Sequence, residues 1–396
     1  NPGSGQFLLK SKSPYSWIWD VFVLKLDKYG NFVWAQSYGA ADNDFSYTLC
    51  LDKNNNVLVT GTFTGKVDFK NGPDTFYLKS TIPSSSDLFF LKLRNNGDFV
   101  YAKRIGRLGS EIPSKILCDR FNSIYISGYM SGDADFDPDT SVEHKLEAAG
   151  SFDAFVLKLD SNGNYLWAKN VGGIREDRSN GMGIDDSLNV YLGGHFEGTA
   201  DFNPNPLATF NISAFVGGLG DLFVLKLDKN GDFKWAKRMG GTSTDILNSL
   251  AVDRSGNVYG TGYFFGTVDF DPNAGTKNLT SNGSGDFFIF KLDTKGDYKF
   301  AYSLGNTQNE IGWGIDVDDQ DQVYTTGYLM LSSDFDISSK QKTLSSNGYL
   351  DVFVAKYAFP PSESISIVGK DSVCKNSLNY YTLAGKSANH KTKWHL

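Results

Sequence analysis

The sequence predicts an all-β protein, a β-propeller of four-stranded antiparallel blades. Three observations carry that expectation: a motif returns every 65–68 residues, short Thr/Val/Tyr/Phe runs alternate with Gly- and Asn-bearing turns, and no apolar stripe of helical period has useful length. The motif opens on an Asp and an apolar run. Asp20 begins DVFVLKLD, and the pattern returns at Asp87, Asp153, Asp221, Asp286 and Asp351, with separations of 67, 66, 68, 65 and 65 residues. That spacing is too regular for chance and too long for a helical-hairpin repeat.

The elements of one repeat follow in order. In the fourth, Leu250-Ala251-Val252 reads as an innermost strand, Asp253 to Asn257 as a tight turn, and Val258-Tyr259-Gly260-Thr261 as a second strand. After a segment of variable length come a third strand, FFIFKLD from Phe287, a turn through Gly296, and a fourth strand, YKFAYSL from Tyr298. Gly and Asn supply the positive φ that tight hairpins need. A run as apolar as Phe287-Phe288-Ile289-Phe290 suits a sheet packed between two neighbours.

Offsets inside the repeat are stricter than the period. An aromatic-Ala pair stands 14 residues after the leading Asp (Trp34, Tyr101, Trp167, Trp235, Phe300), a second Asp 32 after it (Asp52, Asp119, Asp185, Asp253, Asp318), and a Gly nine further on (Gly61, Gly128, Gly194, Gly262, Gly327). All length variation falls between that Gly and the next leading Asp. Six third-strand motifs predict six or seven blades in the intact ring.

Composition narrows the function. The 396 residues carry 38 Lys and Arg against 45 Asp and Glu, a net charge of −7 without a dense basic run, which argues against binding nucleic acid or an anionic membrane. No stretch approaches the ~20 apolar residues of a membrane-spanning helix. Three Cys and four His leave little for a disulfide scaffold or a zinc site.

The combination of DxFVxKLDxxG, VDxxGNVYxTG and DFDP at fixed spacing resembles the bacterial β-propeller repeat of large secreted surface proteins, particularly those of Bacteroidetes. The resemblance covers residues 1–358, opening in mid-repeat, and it implies an extracellular, cell-surface location and export by the type IX route. It implies no reaction, because propellers host many functions. Residues 359–364, with Pro360 and Pro361, read as a stiff linker, and 365–396 resemble the beginning of an immunoglobulin-like or PKD-like β-sandwich, a truncated module with Cys374 and Trp394 near the positions of its first Cys and core Trp.

Four groups of residues are candidates for chemistry or recognition. An acidic residue stands eight before each second Asp (Asp44, Glu111, Asp177, Asp245, Glu310), where it either joins a carboxylate ring able to hold a cation or basic partner, or caps turn amides. Asp133, Asp135, Asp137 and Asp139, with Asp269 and Asp271, form alternating carboxylates that suit calcium, although Asp and Pro are also ordinary turn formers. A Lys stands five past every leading Asp (Lys25, Lys92, Lys158, Lys226, Lys291, Lys356), and within an apolar strand it is expected to pair with a carboxylate of a neighbouring repeat. The longest variable segment, His195 to Gly220, carries Phe202, Phe210 and Phe215 and is the expected partner-contacting surface, the alternative being that these rings pack onto their own blade. Cys50 and Cys118, at different offsets in successive innermost strands, are expected to be unpaired and apart.

No nucleophile elbow or phosphate loop occurs in context. The reading is therefore a non-enzymatic structural or adhesive segment whose partners are other surface or extracellular proteins. The second reading is a glycan-binding or glycan-processing propeller.

Overall fold

A computed structural model of the chain describes residues 5–13, 17–83, 85–139, 141–215, 220–338 and 340–359, and these hold strands and turns without a helix. The expected sandwich module, with Cys374, and all of the linker but Phe359 lie outside the described residues.

The opening repeat contributes β1 (Val21–Leu26) and β2 (Phe32–Tyr38). The next supplies β3 (Phe45–Leu51), β4 (Val57–Thr64), β5 (Lys66–Asp68), β6 (Tyr77–Lys79), β7 (Ser86–Leu93) and β8 (Phe99–Ile105). It is followed by β9 (Ser110–Cys118), β10 (Ile124–Ser131), β11 (Asp133–Asp135), β12 (Lys145–Glu147), β13 (Asp153–Leu159) and β14 (Tyr165–Gly173). Then come β15 (Asp177–Ile184), β16 (Val190–Phe196), β17 (Thr199–Asp201), β18 (Asn211–Ser213), β19 (Asp221–Leu227) and β20 (Phe233–Gly241). A further set is β21 (Asp245–Val252), β22 (Val258–Phe264), β23 (Thr267–Asp269), β24 (Asn278–Thr280), β25 (Asp286–Leu292) and β26 (Tyr298–Leu304). The last described are β27 (Ile311–Val317), β28 (Gln322–Leu329), β29 (Ser332–Asp334), β30 (Thr343–Ser345) and β31 (Asp351–Ala358).

These strands assemble as five propeller blades. Sheet orders β3-β4-β7-β8, β9-β10-β13-β14, β15-β16-β19-β20 and β21-β22-β25-β26 repeat one antiparallel pattern, and β27-β28-β31 repeats its first three strands. The variable segments differ from the expectation of plain loops, because each folds into a ribbon of two three-residue strands such as β17 and β18. Two of these ribbons extend the preceding blade, β17 pairing with β14 and β23 with β20. The chain divides into two compact units, the first running to Ala148 and including Val156–Ala168, the second taking Ala149–Phe155 and the described residues from Lys169 onward. The division falls inside β13 and β14.

Packing inside each unit follows one rule. A β-strand sends successive side chains to opposite faces, so residues one and three past the leading Asp share one face and residues two and four the other. In the first unit Val21 and Val23 pack in one cluster with Phe89 and Leu91. In the second, Leu222 and Val224 join Phe288 and Phe290, and Phe287 and Ile289 join Phe353 and Ala355. At these three junctions the odd face of one third strand meets the even face of the next. Strands β7, β13, β19 and β25 are consequently buried on both sides, whereas β1 exposes Phe22 and Leu24 and β31 exposes Val352 and Val354.

The fixed Gly of the second strand has a steric cause. Each blade's first hairpin carries a bulge, marked by register shifts such as that between Ser179 and Gly181, and the bulge pushes a carbonyl toward the facing strand. A Cβ at Gly194 would collide with the carbonyl oxygen of Arg178, and one at Gly262 with that of Ile246. Gly194→Ala is expected to cost about 3 kcal/mol, measured by urea unfolding, because the colliding atom is backbone and cannot swing away.

Candidate functional site

The acidic residue eight before each second Asp is buried in all five repeats. At the entry to the first inner strand, four of the five turn onto the amide of the preceding connection: Asp44 accepts from Ala40 N at 3.0 Å, Asp177 from Gly173 N at 2.6 Å, Asp245 from Gly241 N at 2.9 Å and Glu310 from Asn306 N at 2.8 Å. Of the two readings offered by the sequence, these bonds fit the cap.

Sequence reasoning missed the partner of each cap. The leading Asp of the same repeat approaches it, giving carboxyl pairs Asp87/Glu111, Asp153/Asp177, Asp221/Asp245 and Asp286/Glu310. Between the two acids lies a Gly with no room for a side chain. A Cβ at Gly172 would stand 2.5 Å from Asp153 Oδ1 and 3.0 Å from Asp177 Oδ2, and one at Gly106 2.6 Å from Asp87 Cγ and 2.9 Å from Glu111 Oε2. The recurrence of Gly 19 residues after the leading Asp was the available signal.

Burial sets the charge of these pairs. Removing a carboxylate from water disfavours ionisation, and a second carboxylate beside it adds to the effect. Burial pushes Asp177 up to about 7, helped by the Asp153 charge and opposed by the Gly173 amide. Asp245 rises to about 8 and Glu111 to about 9 for the same leading reason, while Asp221 reaches about 6 and Asp286 about 7. Asp153 Oδ1, Asp221 Oδ1, Asp286 Oδ1 and both carboxyl oxygens of Glu111 are buried and have no hydrogen-bond partner among the described residues. Burial and the neighbouring acid both favour the protonated form of these carboxyls.

The second Asp of each repeat builds the inner hairpin turn. Asp185 Oδ1 accepts the amides of Ser187 and Asn189, both at 2.9 Å, and Oδ2 accepts Asn189 Nδ2 at 2.7 Å and Tyr191 Oη at 3.0 Å. Tyr191 lies directly across the sheet from Lys226, whose Nζ sits 4.8 Å from the ring centroid. Lys158, Lys291 and Lys356 stand over Tyr125, Tyr259 and Tyr324 at 4.9, 4.7 and 4.8 Å.

The expected lysine–carboxylate pairing is met at Lys92 with Asp52 and Lys226 with Asp185 but is not the general rule. The commoner cushion is an aromatic face, a cation–π arrangement that needs no second charge. Lys25, Lys92 and Lys226 also donate to turn carbonyls of the next repeat, those of Asn95, Ser161 and Thr294. Lys92 shows why the ring matters. Its neighbour on the second strand is Leu58 where other repeats have Tyr, and its ammonium reaches Asp52 at 3.0 Å with the Tyr101 ring 6.0 Å away. Lys226 lies 3.9 Å from Asp185.

The calcium candidates lie on β11 and β23 and in the turns that follow them. Asp135 Oδ1 accepts the amides of Asp137 and His144, Asp137 that of Asp139, and Asp139 that of Ser141. Asp133 pairs with Arg107 and Lys145, Asp269 accepts from Asp271 N and Lys277 N, and Asp271 from Asn273 N. Among the described residues no group of three or more His, Cys, Asp or Glu converges as a metal site.

The three phenylalanines of the longest variable segment part company. Phe202 is buried between Phe196 and Phe223, so it is core and its assignment to a partner surface is corrected. Phe210 stays 41% exposed against Phe233, and Phe215 38% exposed beneath Arg238. His195 is buried next to Arg178, and burial first, then that charge, lowers it to about 4, so it is neutral.

Blade order and the repeated constellations together define a β-propeller repeat protein. Residues 234–263 match the beta-propeller repeat family. The chain is 24% identical over 408 residues to an uncharacterized WD repeat-containing protein, L264, of Acanthamoeba polyphaga mimivirus, covering 86% of this chain and 29% of that one. It is 21% identical over 367 residues to the regulatory protein FlaEY of Caulobacter vibrioides, covering 85% and 34%. It thus spans about a third of the length of the curated relatives it matches. Among solved structures, the gluconolactonase XC5397 of Xanthomonas campestris aligns over 74% of this chain and 72% of that one with a TM-score of 0.33 and 11% identity. A likeness that loose bears on neither activity nor ligand.

The carboxyl pairs make a signed prediction. An acid whose folded value is raised favours the folded state below its unfolded value near ~4 and loses that contribution as pH climbs through the folded value. Asp245→Asn keeps an acceptor for Gly241 and a donor toward Asp221. It is expected to raise stability by ~2 kcal/mol at pH 9 and to leave it nearly unchanged at pH 4, read from chemical denaturation at the two pH values.

Proposed function

We propose that the chain is a non-enzymatic interaction platform, a structural or adhesive segment of a large secreted bacterial surface protein, with its blades belonging to a ring of six or seven. The observation that carries this reading is where the polar chemistry goes. The repeated acids accept from the protein's own turn amides or lie beside a second buried acid, the repeated lysines bind its own rings and carbonyls, and length variation is confined to the ribbon-bearing segments between second and third strands. Rigid blades that present variable segments suit recognition of other surface proteins. Phe210 and Phe215, partly exposed on the longest segment, are the contact residues of this reading.

Beads coated with the chain are expected to adhere to bacterial cells. The double variant Phe210→Ser and Phe215→Ser should lose most of that adhesion while keeping its melting temperature within ~2 °C, since neither ring is in the core. Adhesion unchanged by the double substitution would remove these residues from the contact surface. Adhesion that survives protease treatment of the cells and is competed by soluble glycan would move the assignment to glycan binding.

A further inference from the structure

Cys50 and Cys118 stand at offsets of 30 and 31 residues from the leading Asp of their repeats, and alternation along a single strand assigns them opposite faces. The expectation that they lie apart is overturned: their Sγ atoms are 3.3 Å apart. The reason is the packing rule already described. Neighbouring blades meet odd face to even face, so residues of opposite parity on successive first strands come together, here across β3 and β9. Both cysteines are free thiols and half-buried, within the first unit.

We propose that Cys50 and Cys118 are a modification site, a dithiol that closes to a disulfide under oxidising conditions and ties β3 to β9. The sulfurs need approach by only about 1 Å to reach the ~2.05 Å of an S–S bond, a displacement within side-chain adjustment. The oxidant is a small-molecule disulfide. One cysteine thiolate attacks a sulfur of the reagent, forming a mixed disulfide and releasing one small thiol. The second cysteine then attacks the protein sulfur of that intermediate and expels the other thiol. Two protein thiols are oxidised by two electrons, the reagent's S–S bond is reduced, and the protons lost by the cysteines pass to the departing thiolates. The shared S–H···S contact and burial hold the Cys50 thiol up, whereas the Lys115 charge favours its thiolate. Closure requires the reagent as its oxidant, and the raised thiol makes the first attack slow at neutral pH. The bond closes a loop of 67 residues between successive repeats, long enough to restrict the unfolded chain appreciably.

The test uses the full chain with Cys374→Ser to remove the third thiol. Incubation with glutathione disulfide at pH 8, acid quenching, and mass mapping without reduction should recover a Cys50–Cys118 linked peptide. The melting temperature should rise by roughly 5 °C and fall back on reduction, and Cys50→Ser or Cys118→Ser should abolish both the link and the shift. Two cysteines that remain fully alkylatable in denaturant after oxidation, or that form only glutathione adducts or links between chains, would overturn the proposal.

Discussion

Burying both faces of a strand such as Asp286–Leu292 leaves it no solvent side, and most of this fold follows from that demand. Each buried Phe contributes roughly 1.5–3 kcal/mol, but only if a neighbouring sheet supplies complementary apolar residues. The odd-to-even match between successive third strands meets the requirement, with Phe287 and Ile289 against Phe353 and Ala355 as one instance. The same match brings Cys50 and Cys118 together although their offsets differ by one.

Polar groups are then admitted on restrictive terms. The leading Asp and the acid that enters the next inner strand sit in the same dry layer, and a glycine between them leaves no space for a bulkier residue. Burial and mutual repulsion both raise the cost of ionising the second carboxyl there. The repeated lysine is treated differently because it has a long stem and, in four blades, a tyrosine face beneath its ammonium. Where Leu58 stands in place of that tyrosine, the ammonium reaches Asp52 and lies 6.0 Å from the ring of Tyr101.

Much of this was legible in the sequence because a repeat is its own control. Strand order, five inner hairpins and the turns at Asp52, Asp119, Asp185, Asp253 and Asp318 could be read from spacing alone. The ribbons escaped notice because three-residue strands such as Thr199–Asp201 carry too little pattern to separate from a loop. The site-level errors share a cause. Phe202 was placed by its position in a variable segment, the lysines by charge, and the cysteines by alternation within one strand. The burial of Phe202, the tyrosine across from Lys226 and the meeting of β3 with β9 are contacts between segments, which single-segment patterns do not encode.

The odd-to-even contact also gives the array a direction. Each repeat is a link with unlike ends, one face made to receive and the other to be received, and a whole repeat can be duplicated or deleted without creating a mismatched joint. A shift of one residue in a third strand exchanges the two faces and spoils both joints at once. Phe22 with Leu24 on β1 and Val352 with Val354 on β31 are exposed examples of the two unlike faces. Growth by units of 65–68 residues is thereby the change in length that the core tolerates, while shorter insertions are confined to the segments outside it.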